Sequence, residues 1–173
     1  MLELRPFEAH DAESVVTWFE DERAFHKWCA NRFEHFPITA EELVEHYMQN
    51  GAPDLLYPLT AFDEDGIAGQ LFLRFLDDEK TDVRFGFIVV SPDRRGKGYG
   101  SGMIRLALAY AFDTLKVNRV SLGVFDNNEG ARRCYEAVGF RANGGGWDCD
   151  ISGELWHCSE MELRAEDYRR ATA

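Results

Sequence analysis

The sequence predicts an α+β fold: a central mixed, mostly antiparallel sheet with helices on both faces. Three observations predict it. Helical patterns fill most of the first 50 residues, three strand-like runs then follow one another, and strand and helix patterns alternate from there to the end. Consecutive strands joined by tight turns pair antiparallel. A strand, a crossover helix and another strand add a parallel pair, so the two patterns together give a mixed sheet. The 173 residues suit one domain spanning residues 1–173, long enough to bury a single core.

The elements follow in order. Leu2-Glu3-Leu4-Arg5 alternates and predicts a first strand over residues 2–6, ended by Pro6. Val15, Val16, Trp18 and Phe19 predict an amphipathic helix over residues 10–20, with a second short helix over 22–29. Thr39 followed three residues later by Glu42 is a capping box, opening a helix that should end at Asn50-Gly51. Strand runs at 57–62 and 67–76 flank Asp63-Glu64-Asp65-Gly66, a strong turn signal. A third run, rich in Val, Phe and Ile, covers 81–90 and is stopped by Pro92. Next come a helix over 98–115, a strand over 119–125 and a helix over 128–138 closed by Gly139. Two late strands, near 148–151 and 154–163, are joined by Ser152-Gly153. Gly144-Gly145-Gly146 ahead of them reads as a flexible connection, a lip over a substrate.

Charge and cysteines narrow the function classes. The net charge is −12, which argues against nucleic acid, whose backbone needs a basic surface. It either favours a cationic ligand such as an amine or serves solubility alone. The four cysteines form no C-x-x-C pair, so reduced thiols, a reducing compartment and no metal site are expected. The first ten residues carry Glu3 and Arg5 and lack a signal-peptide run. No stretch approaches the ~20 apolar residues of a membrane span. A cytoplasmic protein without a membrane partner is the expectation.

The strongest local signal is Val89-Val90-Ser91-Pro92-Asp93-Arg94-Arg95-Gly96-Lys97-Gly98-Tyr99-Gly100: a buried strand, a stop, a Gly-rich loop and a helix start. Glycines let the backbone curl with N–H groups pointing inward, and the helix adds the positive end of its dipole. Such a nest binds phosphate oxygens. Neither the P-loop pattern nor G-x-G-x-x-G is satisfied, because Ser101 and Met103 stand where third glycines would be needed. What fits is R-x-x-G-x-G, written by Arg95, Gly98 and Gly100. This resembles the coenzyme A pyrophosphate loop of the GNAT N-acetyltransferases. A second match, N-x-x-A-x-x-x-Y-x-x-x-G-F, is spelled by Asn128, Ala131, Tyr135, Gly139 and Phe140 and looks like that family's second cofactor motif. The resemblance covers residues 2–140 at least.

The resemblance implies an N-acetyltransferase in which an amine attacks acetyl-CoA directly. It implies that backbone N–H groups of Arg95, Gly96, Lys97, Gly98, Tyr99 and Gly100 hold the pyrophosphate. The pantetheine arm would lie along Ile88, Val89 and Val90, with the Ile88 N–H facing the thioester carbonyl. Tyr135 matches the family's general acid. A phenol of pKa ~10 protonates a thiolate of pKa ~8.5 only uphill, so its help is mostly a hydrogen bond. Asn128 is either a cofactor contact or a helix cap.

The base is where the sequence departs from the family. Arg84 stands where many members have a glutamate, which leaves Asp82, Glu22, Glu34 or a water chain. Neutralising a lysine-like amine at pH 7 costs ~4.6 kcal/mol and an α-amine ~1 kcal/mol, so a weak base favours an α-amine or a small-molecule amine. The early chain order also looks like the branch that holds ribosomal-protein and antibiotic N-acetyltransferases. The expected acceptors are a small-molecule amine or a peptide N-terminus, and the resemblance admits a homodimer. Phe25, His26, Trp28, Phe33, His35 and Phe36 form an aromatic patch that either boxes an amine or, more commonly, belongs to the core. His26 and His35 are read as bases or, more commonly, as surface or capping residues. Trp147 and Trp156 are read as packing. The alternative function is a non-catalytic acyl-CoA-binding module.

Overall fold

A computed structural model describes residues 1–50 and 54–173. The strands are β1 (Glu3–Pro6), β2 (Leu56–Asp63), β3 (Gly66–Phe75), β4 (Asp82–Val90), β5 (Arg119–Phe125), β6 (Arg141–Ile151) and β7 (Glu154–Arg164). The helices are α1 (Ala12–Val15), α2 (Glu22–Cys29), α3 (Ala40–Gln49), α4 (Tyr99–Ala109), α5 (Glu129–Ala137) and α6 (Ala165–Thr172). The strands form one sheet in the order β1-β2-β3-β4-β5-β7-β6. Every neighbouring pair is antiparallel except β4 with β5.

Two apolar layers sandwich the sheet. On one face α4 and α5 pack through Met103, Ile104, Leu108 and Tyr135 against Leu71, Leu73, Val83, Phe85 and Leu122. On the other, α1, α2 and α3 pack through Val15, Phe25, Trp28 and Leu43 against Phe87 and Val89. Val83 and Phe85 therefore face one layer, while Phe87 and Val89, with the same spacing, face the other. A bulge explains the switch. Gln70 opposes Val89 and Phe72 opposes Gly86, so β4 has two residues, Phe87 and Ile88, where β3 has only Leu71. Phe87 takes φ +48, a left-handed conformation unusual for a bulky residue. One extra residue shifts the side-chain period and exchanges the faces.

The expected elements are present, with four differences. The helix expected over 10–20 is a 3₁₀ turn followed by the single turn α1. Val15-Val16-Thr17 is a β-branched run that disfavours continuation, and the Trp18 carbonyl instead accepts a hydrogen bond from Arg95. Gly144-Gly145-Gly146 is not a loose connection but part of β6, where the register shifts between Ala142 and Gly146. A Cβ at Gly146 would lie 2.6 Å from the Cys158 carbonyl oxygen, so glycine is needed for close strand approach. The expected helix over 98–115 widens into a π turn after Ala109. The final helix α6 was not foreseen in the pattern. The capping box stands as expected: Thr39 Oγ1 accepts from the Glu42 N–H and Glu42 accepts from the Thr39 N–H. The helix stops at Gln49 with Asn50 as its cap, and Gly51 lies outside the described residues. No helix among the described residues is long and apolar enough to cross a membrane.

Gly86 has no room for a side chain, because a Cβ there would come 2.2 Å from the Phe72 ring. Gly86→Ala should destabilise the fold by about 1–3 kcal/mol through overpacking. Adding Phe72→Leu should recover part of that loss, as thermal denaturation of the two single variants and the double variant would record.

Candidate active site

The site begins where β4 and β5 part. They pair only at Asp82–Arg119, Val83–Val120 and Arg84–Ser121, although β4 runs on to Val90 and β5 to Phe125. Beyond Arg84 a wedge opens. One cleft in it is lined by Ile88, Val89, Val90, Arg95, Gly123, Asn128, Ala131 and Tyr135. Phe87 and Ile88 have no cross-strand partner on β3 and none on β5.

At the outer end of β4 lies the glycine loop. Gly96 and Gly98 have φ +72 and +83, and a Cβ at either would meet nothing within 4 Å, so the space above them is open. Among the described residues the N–H groups of Gly96, Lys97 and Gly98 find no backbone acceptor. Tyr99 opens α4, whose first-turn N–H groups at Tyr99 and Gly100 have no intrahelical partner. An open floor of unclaimed donors at a helix start fits a pyrophosphate.

The basic side chains here do structural work. Arg94 donates to Asp63 at 2.6 Å and to the Tyr99 hydroxyl, which itself donates to Asp63 at 2.6 Å. This ties the loop to the β2–β3 turn. Arg95 donates to the Val90 and Trp18 carbonyls, latching the segment after α1 onto the end of β4. Lys97 reaches the Asp93 carbonyl.

Tyr135 is buried, and among the described residues its hydroxyl makes no hydrogen bond. Burial pushes its phenol above the ordinary value, so it stays protonated. Asn128 is the N-cap residue of α5, but its side chain makes no capping hydrogen bond and lines the cleft instead. Asp82 is not brought to the wedge. It starts β4, at the closed end, paired with Arg119 at 3.0 Å. Arg84 is held by two hydrogen bonds, 2.7 and 2.8 Å, to Glu160 of β7. Glu22 lies beside His26, and Glu34 lines a shallow surface with His35, Arg32 and His46.

The wedge is continuous with a cavity of about 190 Å³ on the α1–α3 face, since Lys27, Trp28, Phe85, Gly86, Phe87 and Gly123 line both. His46 of α3, Arg74 of β3 and Arg32 line the cavity, and sequence reasoning missed all three. Their spacing along the chain carries no signal, because three separate elements bring them together. Burial and the Arg32 charge hold His46 below its ordinary value, so it is neutral near pH 7. Of the aromatic patch, Phe25 and Trp28 are core residues, and Trp28 also forms cavity wall. His26 is buried with its ring on the Ala30 carbonyl, and His35 bridges the Pro37 carbonyl and Glu42. Trp156 packs on Phe125.

The fold and the cradle define a cofactor-cleft transferase architecture. The family model for the acetyltransferase (GNAT) domain matches residues 1–141, and the chain belongs to that family. Among curated proteins it is similar to the spermine/spermidine N(1)-acetyltransferase of Bacillus subtilis strain 168. The two are 32% identical over 101 residues, 58% of this chain and 56% of that protein. It is also similar to the spermidine N(1)-acetyltransferase of Escherichia coli K12, at 23% identity over 90% of this chain and 76% of that protein. The match spans little more than half the length of the two Bacillus relatives whose names give spermine N(1)-acetyltransferase. Among solved structures, spermidine N-acetyltransferase from Vibrio cholerae in complex with CoA and spermine shares the fold. Its TM-score is 0.81 at 23% identity, over 97% of this chain and 98% of that one.

Asp63 offers a test of the loop's anchorage. Hydrogen bonds from Tyr99 and Arg94 hold its carboxyl at about 2, below the ordinary 3.8. A depressed folded value contributes stability that is present above pH 3.8 and lost as pH falls through 2. Asp63→Asn should therefore flatten the acid limb of melting temperature between about pH 4 and pH 2, and at pH 7 melt lower than the parent.

Proposed function

We propose that the protein, as one domain spanning residues 1–173, transfers an acetyl group from acetyl-CoA to a small primary amine by direct attack. The observation that carries this reading is the continuity of glycine cradle, wedge and cavity. An arm anchored by its phosphates at residues 95–100 and laid along Ile88, Val89 and Val90 would end beside Gly86 and Phe87, where the cavity begins. Family membership supports the reaction class. The names of the Bacillus and Escherichia relatives support an amine acceptor. A cavity of about 190 Å³, below the ~300–1,000 Å³ of drug-sized sites, favours a small acceptor over a peptide N-terminus. The free cysteines suit a cytoplasmic setting.

Bound acetyl-CoA supplies a thioester: the amine nitrogen bonds to its carbonyl carbon, the C–S bond breaks, and an acetamide and the CoA thiol leave. The backbone of β4 beyond Arg84, which β5 does not pair, offers N–H donors to the carbonyl oxygen as it gains charge. Tyr135, kept protonated by burial, donates to the departing sulfur. His46, neutral at pH 7, takes at Nδ1 the proton that the amine releases, in place of the hydrogen bond which that nitrogen accepts from the Asn50 side-chain amide. A covalent acyl-cysteine route is disfavoured, because burial raises the Cys29 thiol and pushes Cys158 up to about 12, keeping both cavity thiols protonated. Glu160 is committed to Arg84 and Asp82 to Arg119, which leaves neither free to serve.

Calorimetry with acetyl-CoA tests the cradle. Gly98→Trp should abolish binding while circular dichroism stays native. Tyr135→Phe should bind normally but lose about 10²-fold in kcat; equal turnover by Tyr135→Phe and the parent would remove the acid role. For the parent, kcat at saturating acceptor should fall with acid only below pH 6.5, as His46 gains its proton. His46→Gln should lower kcat by about 10²-fold and lose that limb.

A further inference from the structure

We propose that the acceptor is an amine carrying an anionic group, a carboxylate or phosphonate, and that Arg74 with Arg32 and Lys27 binds that anion in the cavity. This rests on the acetyltransfer reading and names the class of its acceptor.

The cavity's charge opposes that of the protein. The chain has a net charge of −12, yet among the described residues no aspartate or glutamate lines the cavity, whereas Lys27, Arg32, Arg74 and Arg84 do; Glu34, Glu42 and Glu45 lie only on the outer surface that adjoins it at Arg32 and His46. Arg84 is neutralised by Glu160. Among the described residues the other three enter no ion pair, although most arginines elsewhere do. Arg74 is half-buried, and its Nε is sealed from solvent without a hydrogen-bond acceptor. The Trp28 Nε1, in a residue only 9% exposed on the same cavity, also lacks one. Buried donors of this kind are costly to leave unmet; the terminal guanidinium N–H groups of Arg74, which are not sealed and among the described residues make no hydrogen bond, are the ones an oxyanion in the cavity would meet. Burial and the positive charges of Arg84 and Arg32 bear on Arg74 in the same direction, lowering its affinity for a proton, as expected of crowded cations awaiting a counter-charge.

The cofactor's own phosphates do not answer this need. Arg74 stands opposite Arg84 in the β3–β4 register. Six residues of strand, roughly 20 Å, separate Arg84 from Val90 at the cradle end. Arg74 and Arg84 thus lie beyond Gly86 and Phe87 from the cradle, where the acceptor's far end would sit, while Lys27 borders both wedge and cavity. A planar guanidinium with a fork of donors suits a carboxylate or phosphonate. A polyamine such as the relatives' names describe would bring further positive charge against three unpaired cations.

The test is acetylation of matched acceptors by the full chain with acetyl-CoA: an α-amino acid, its uncharged amide, an aminoalkylphosphonate and spermidine. Binding of the N-acetyl amino acid by calorimetry gives a second readout that needs no turnover. The expected result is that kcat/KM for the carboxylate or phosphonate exceeds that for the amide and spermidine by at least about 10²-fold. Arg74→Gln and Arg32→Gln should each narrow the anion-to-amide ratio about tenfold or more, and Arg74→Lys should restore part of it. Preference between the two anionic acceptors distinguishes a carboxylate source from a phosphonate source. Spermidine or the amide acetylated as well as the anions, or a ratio unmoved by Arg74→Gln, would overturn the inference and leave acetyltransfer standing. Acetyl-CoA bound but no acceptor turned over, with no binding of the N-acetyl product, would overturn both.

Discussion

The site depends on the bulge at Phe87 and Ile88. In a regular strand, Phe85, Phe87 and Val89 would all face α4, and β4 would continue beside β5. The extra residue instead rotates the outer half of β4 so that Phe87 and Val89 join the α1–α3 layer. Pairing with β5 ends after Arg84. A wedge with free backbone on its wall follows from that one local conformation. The surrounding packing stabilises it: the Phe87 ring lies 4.6 Å from Trp28 and stacks 5.3 Å from His46. Burying a large ring among aromatic neighbours offsets the strain of a left-handed backbone.

The bulge also decides which chemistry meets in the cavity. It puts Phe87 on the face that already carries Arg84 and Gly86, so the aromatic anchor of the outer half of β4 and the charged residue of its inner half share one chamber. Glycine appears wherever two such surfaces press together. Gly123 has Cys158 Sγ within 2.7 Å and Arg84 within 2.9 Å of a hypothetical Cβ, as Gly86 has Phe72. The chamber's shape is set by these contacts as much as by the residues that would touch a substrate.

Much of this was legible along the chain, and what was not has a physical reason. The turn at Asp63–Gly66, the capping box at Thr39 and the glycine loop depend on neighbours within a few residues, so local pattern reveals them. Ile88, Val89, Val90 and Arg95 come together with Asn128 and Tyr135 because both motifs border the same wedge, with the glycine loop at its outer end. The bulge has no local signature, because Phe87 is not a residue that favours positive φ and only tertiary packing holds it there. The course of the chain after Val15 is also tied to Arg95, whose guanidinium donates to the Trp18 carbonyl 77 residues away in sequence. Asp82 has the right chemistry and lies on the right strand, but it sits at the closed end where β4 and β5 still pair. His46, Arg74 and Glu160 lie on three different elements, and no spacing rule connects them.

The three rungs that join β4 to β5 have a thermodynamic consequence. They divide the sheet into two leaves, β1-β2-β3-β4 and β5-β7-β6, connected along the sheet by a short seam. A molecule bound in the wedge would lie where the strands do not pair with each other. A ligand that binds only the folded chain adds about 2.7 kcal/mol of stability at a hundred times its dissociation constant. A ligand that occupied this gap would thus couple the chain's resistance to unfolding to its own concentration.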